Sequence, residues 1–85
     1  MQLGRVIGHA TSTIKHRSLN GWRLVVVQPV NVARVPEADP IVVVDRLGSA
    51  PGHLVVLNSD GKAARELIGD QHSPARWFVI GIVDE

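Results

Sequence analysis

Four stretches of the chain are apolar without interruption: Leu24-Val25-Val26-Val27, Ile41-Val42-Val43-Val44, Leu54-Val55-Val56-Leu57 and Phe78-Val79-Ile80. Successive side chains of a strand point to opposite faces. A sheet with one wet face therefore alternates apolar and polar residues. These runs do not alternate, so both of their faces seek burial. Helices on both sides of a parallel sheet would provide that cover, but only one short stretch, Lys62–Ile68, reads as helix. A closed barrel buries the inner face of each run. The outer face then calls for something else, and the simplest candidate is another copy of the chain.

The rest of the chain fits around these runs. Leu3–Thr13, with Gly4 and Gly8 inside it, reads as a long strand that bends at glycine. Ile14–Gly21 is a polar, basic loop ending in Asn20-Gly21, a strong hairpin signal because both residues tolerate positive φ. Trp22–Gln28 is the return strand, and Pro29 is expected to end its ladder. Asn31–Pro40 is an exposed loop, and Ile41–Asp45 and His53–Leu57 are short strands. Asp60 or Ser59 caps the helix, and Gly69 stops it. After a loop over Gln71–Ala75, Trp77–Asp84 is the last strand. The expected fold is mostly all-β: a five-stranded barrel of the oligonucleotide/oligosaccharide-binding (OB-like) type, with one short helix before the last strand. Residues 1–85 form a single domain.

Size sharpens the need for a partner. A chain of 85 residues buries only about 60–65% of its unfolded surface. It has no cysteine, so neither a disulfide nor a thiolate metal site supports the core. No apolar run approaches the roughly 20 residues of a membrane span, and Met1–Arg5 does not open a secretory signal. A cytoplasmic protein with no membrane partner is expected. The net charge of +1 argues against a specific nucleic-acid partner. Its distribution is uneven: residues 1–35 hold five basic side chains and no acid, and the rest holds all eight acids and four basic side chains. Such a bipolar surface lets copies or neighbouring proteins dock in one orientation.

Little in the sequence carries chemistry. His9, His16, His53 and His72 share no metal-ligand spacing. Gly61-Lys62 lacks the glycine and hydroxyl of a phosphate loop, with Val56 and Ala63 in those places. Ser59 and Asp60 are adjacent and point apart, which suits a cap better than a nucleophile pair. Asp45, ahead of Gly48, is a turn-former. No catalytic residue, metal ligand or cofactor site is expected. The candidate functional residues are architectural: the loop Gly48, Ser49, Ala50, Pro51 and Gly52, together with Gly61 and Arg65, where contacts between copies would form. A runner-up reading is a small barrel binding single-stranded nucleic acid or oligosaccharide through the basic residues of 1–35. Trp22, Trp77 and Phe78 are the only aromatics for such a platform. A third is a metabolite-binding barrel with its site at the Gly48–Gly52 loop.

Taken in order, the segments resemble the bacterial microcompartment vertex proteins, the EutN/CcmL family of carboxysome and ethanolamine-utilisation shells. The resemblance spans nearly the whole chain. It rests on Gln2-Leu3-Gly4-Arg5-Val6-Ile7-Gly8, Ser12-Thr13, Lys15, Ser18-Leu19, Gly21 and Leu24–Gln28. It continues through Asp45, Leu47-Gly48, Gly52, Gly61, Ala63-Ala64-Arg65, Pro74 and Ile80-Gly81-Ile82-Val83-Asp84. The loop departs from the family pattern: its middle glycine and its glutamate are missing, Pro51 is added, and His53 ends it. Lys62 replaces a small hydroxyl residue, and Arg76 stands where an aspartate is usual. The resemblance implies a non-enzymatic shell protein: a homopentamer that fills the five-fold vertices of a polyhedral shell tiled by hexameric microcompartment shell proteins.

Overall fold

The computed structural model describes residues 1–10, 21–71 and 75–85. Its elements are β1 (Gln2–His9), β2 (Leu24–Val30), β3 (Ile41–Val44), β4 (Leu54–Ser59), α1 (Gly61–Ile68) and β5 (Trp77–Ile82). The strands close into a barrel in the order β1-β2-β3-β5-β4, with β4 returning to β1. All pairings are antiparallel except β3 with β5, which meet with Val44 opposite Phe78. This is the expected five-strand barrel with a helix before the last strand, and its order is compatible with the OB type. Asn20, the loop before it, the far end of the first expected strand and most of the Gln71–Ala75 loop lie outside the described residues; Gly21 has the positive φ, 83°, that the turn signal called for.

The core is an aliphatic column inside the barrel: Val6, Val25, Val27, Val43, Val55, Leu57 and Val79, with Ile41 and Trp77 packed at its edge. Apart from Val6 of β1 and Trp77, these are alternate residues of the uninterrupted runs. Their neighbours Val26, Val42, Val56 and Ile80 turn outward and stay half-buried or exposed. Two bulges disturb the ladders. On β1 the pairing with β2 skips Ile7, and on β5 the pairing with β4 skips Ile80. A bulge gives one strand an unpaired extra residue and bends it, and both extra isoleucines stand out in solvent.

Pro29 does not end its strand. It sits buried inside β2, opposite Gly4 of β1. The carbonyl of Pro29 accepts the Glu37 N–H on the side away from β1. In an antiparallel strand a residue's N–H and C=O point the same way, so the missing donor also faces away from β1. The β2–β3 ladder has already stopped at Val27 opposite Ile41, and no strand asks for it. Gly4 is likewise not a bend. A Cβ built there would lie 2.3 Å from a methyl of Val27, so glycine lets β1 close against β2.

At one end of the barrel α1 fits over the core through Ala64, its buried residue. The Asp60 carboxylate accepts the N–H groups of Lys62 and Ala63, and Gly69, in left-handed conformation, closes the helix by donating to the Arg65 carbonyl.

Candidate functional site

The Gly48–Gly52 loop is built on a buried carboxylate. Asp45 follows β3 and is only 2% exposed. Its carboxylate accepts the Leu47 N–H at 2.9 Å, the Ser49 N–H at 2.8 Å and the Ser49 hydroxyl at 2.9 Å. The Arg23 guanidinium, from the residue before β2, closes an ion pair on the same carboxylate. Burial alone would push the Asp45 carboxyl up. The hydrogen bonds from Leu47 and Ser49 and the Arg23 charge together outweigh it and hold the group below the ordinary aspartate value. Asp45 is thus a turn-former, as its sequence context implies, and a fully satisfied one.

Gly48 and Gly52 have φ of 79° and 93°, the left-handed region where a Cβ is strained, so glycine is needed at both ends of the loop. Ser49 is fully buried and turned to its own subunit's Asp45. Pro51 and Gly52 are exposed. The Ala50 N–H donates to Nδ1 of His53 at 2.9 Å, and the His53 N–H returns to the Ala50 carbonyl. The imidazole therefore closes the loop. The loop is also pinned to β1: Gly52 N–H donates to the Val6 carbonyl, and Arg5 reaches the Gly52 carbonyl while pairing with Glu85.

Gly61 and Arg65 lie elsewhere. The loop precedes β4 and Gly61 follows it, so the two halves of the candidate site stand at opposite ends of that six-residue strand, about 20 Å apart. Arg65 is half-buried, and its guanidinium folds back over Gly61, where an added Cβ would lie 3.0 Å from Nη1. Beside this end are Arg76, whose carbonyl accepts the Asp60 N–H, and Trp77, opposite Ser59. Trp22, Trp77 and Phe78 are each half-buried. Among the described residues no group of histidines and carboxylates has metal-binding geometry, and no helix is long and apolar enough to cross a membrane. Sequence reasoning missed Arg23 and Arg76 as site residues. The usual aspartate at position 76 is the one signal that pointed to the second.

A family model described as "Ethanolamine utilisation protein EutN/carboxysome" matches residues 1–84. The chain belongs to the EutN/CcmL family. This member is 42% identical over 84 residues to the bacterial microcompartment shell vertex protein GrpN of Rhodospirillum rubrum, covering 99% of this chain and 93% of GrpN. It is 38% identical over 88 residues to the shell vertex protein PduN of Salmonella typhimurium, covering 99% of this chain and 96% of PduN. Among solved structures, the GrpN pentameric microcompartment shell protein superposes with a TM-score of 0.81 at 40% identity, covering 100% of this chain and 95% of that one. Gloeobacter violaceus CcmL superposes with a TM-score of 0.84 at 33% identity, covering 99% and 86%. Both relatives are named as bacterial microcompartment shell vertex proteins, the role that the family resemblance implies.

Proposed function

We propose that the chain is a shell vertex protein: a homopentamer that occupies the five-fold corners of a microcompartment shell in the cytoplasm, among hexameric shell proteins. A flat hexagonal sheet closes into a polyhedron only where five-fold units replace six-fold ones. The observation that carries the reading is full-length agreement with the pentameric GrpN structure. The barrel's apolar outer wall supports it, since a lone small domain would leave that wall in water. The Gly48–Gly52 loop, with Gly61 and Arg65, supplies contacts between copies or lines the ring's centre; its pinned backbone and exposed Pro51 and Gly52 suit a surface that meets a neighbour without losing entropy.

Five copies of the 9.2 kDa chain weigh 5 × 9.2 = 46 kDa. Native mass spectrometry is expected to give that mass at micromolar concentration, and negative-stain images to give five-fold rings. A stable monomer under those conditions would refute the proposal.

A further inference from the structure

The exposed apolar side chains on strands are Ile7, Val42, Ile80 and Ile82. Ile7 stands singly, which is ordinary for a soluble surface. The other three belong to two patches. The first is a groove of about 350 Å³ at the seam between β3 and the start of β5, lined by Ile41, Val42 and Val44 on one side and Ala75, Arg76 and Trp77 on the other, with Leu24 of β2 at its edge. Val42 on its floor is 55% exposed, and Arg76 is the one charge in its lining. The second patch is on the β4–β5 wall. There the bulge sets Ile80 outward at 44% exposure beside half-buried Val56, which lies opposite Gly81; Ile82, opposite core Val55, is 40% exposed where the strand ends at the barrel's mouth. Exposed Asp84 lies just beyond Ile82. Neither Arg76 nor Asp84 has a side-chain partner among the described residues.

We propose that these patches are the two halves of one contact between copies: the β4–β5 wall of one subunit seats in the β3–β5 groove of the next, and Asp84 of the first meets Arg76 of the second. The assignment rests on the ring reading above. A five-fold ring is built of head-to-tail contacts, so each subunit needs two different and complementary surfaces, not one self-complementary patch. An apolar groove with a cationic rim and an apolar wall with an anionic rim form such a pair, and unpaired opposite charges fix the orientation in which they meet. Their placement suits closure. The groove lies at the β3–β5 seam and the wall at the β5–β4 seam, neighbouring positions in the order β1-β2-β3-β5-β4, so the two surfaces are offset around the barrel and not opposed. Surfaces diametrically opposed would stack copies into an open filament, whereas an offset turns each copy relative to the last. The same contact reunites the split candidate site. His53 borders the Ile82–Asp84 wall, so that wall carries the Gly48–Gly52 loop, and Arg76 borders the start of α1. The loop of one copy comes to the helix start of the next.

The test is native mass spectrometry, with light scattering across a dilution series, on wild type, Val42→Asp, Arg76→Asp, Asp84→Arg and the double exchange Arg76→Asp/Asp84→Arg. Circular dichroism serves as the folding control. Each single charge reversal is expected to raise the concentration at which rings dissociate by about tenfold or more, and the double exchange to return it to within about threefold of wild type. Val42→Asp is expected to yield smaller species with an intact barrel spectrum. Should that variant unfold, the charge exchange decides alone, because Arg76 and Asp84 are exposed. A wild-type chain that is not a pentamer overturns the ring reading and this contact with it. A wild-type pentamer that the single reversals leave untouched, or that the double exchange does not restore, overturns the contact alone. In that case the ring is sealed by other surfaces, and the groove is left to a different partner.

Discussion

Asp45 shows how much one side chain organises. It holds a loop and ties β3 to the residue before β2, with four donors on its two oxygens. Asp45→Ala leaves the buried Ser49 N–H and hydroxyl without a partner and Arg23 unpaired. A loss of about 2–4 kcal/mol is expected in urea melts. The carboxyl is held below its usual value in the folded chain, while the unfolded chain titrates near about 3.9. Its contribution is therefore complete above the unfolded value and disappears as pH falls through the lower, folded one. Glu85, paired with Arg5, shifts in the same direction, so the acid limb is not Asp45's alone. Asp45→Asn isolates its share: the urea midpoint of the variant should fall less between pH 6 and about pH 2–3 than that of wild type. Equal falls would mean that the buried carboxylate is not what acid attacks.

At the scale of elements, β1 and β2 depend on an absence of atoms. Gly4→Ala would drive a methyl into Val27, itself fully buried. Overpacking of this kind costs about 1–3 kcal/mol, and a chemical denaturation midpoint should show it without loss of the barrel's spectrum. Gly8, where an added Cβ meets nothing within 4 Å, should accept alanine with a far smaller effect. A sequence cannot tell these two glycines apart, since both read as breaks in a strand. Pro29 was illegible for a related reason. Its effect depends on which side of β2 has a neighbour at that level, a fact about register. By contrast, the helix was readable to within a residue, because Asp60 and Gly69 act locally. The strands were readable because four uninterrupted apolar runs admit few folds of this length. The candidate site was half legible: the loop glycines and Asp45 announce themselves, but the distance between the loop and Arg65 is set by the length of β4, and the surroundings of Arg76 by the parallel pairing of β5 with β3.

For the whole molecule, the telling property is an outer wall that resembles a core. Arg65 is expected to matter here more than within the subunit. Among the described residues its guanidinium has no hydrogen-bond or ion-pair partner, and it sits half-buried at the end of the barrel where the next copy would arrive. If it bonds across that contact, Arg65→Ala leaves partners unpaired at about 2–5 kcal/mol per contact. Size exclusion with light scattering should then show smaller species while the far-ultraviolet spectrum stays nearly that of wild type. Lysine should not substitute, because a point charge does not reproduce a planar fork. A ring that survives dilution unchanged would reduce Arg65 to ordinary surface.

The barrel is closed by its final strand, which joins β3 on one side and β4 on the other. Without β5 the other four strands have only the open order β4-β1-β2-β3. Trp77 and Arg76, which complete the groove, emerge with the strand that shuts the barrel. A nascent or truncated chain therefore has no finished groove to offer, and recruitment into a ring waits for a completed subunit. The order of elements along the chain acts as an inspection step. A corner piece missing its last strand, which would spoil four good copies, does not qualify for the ring.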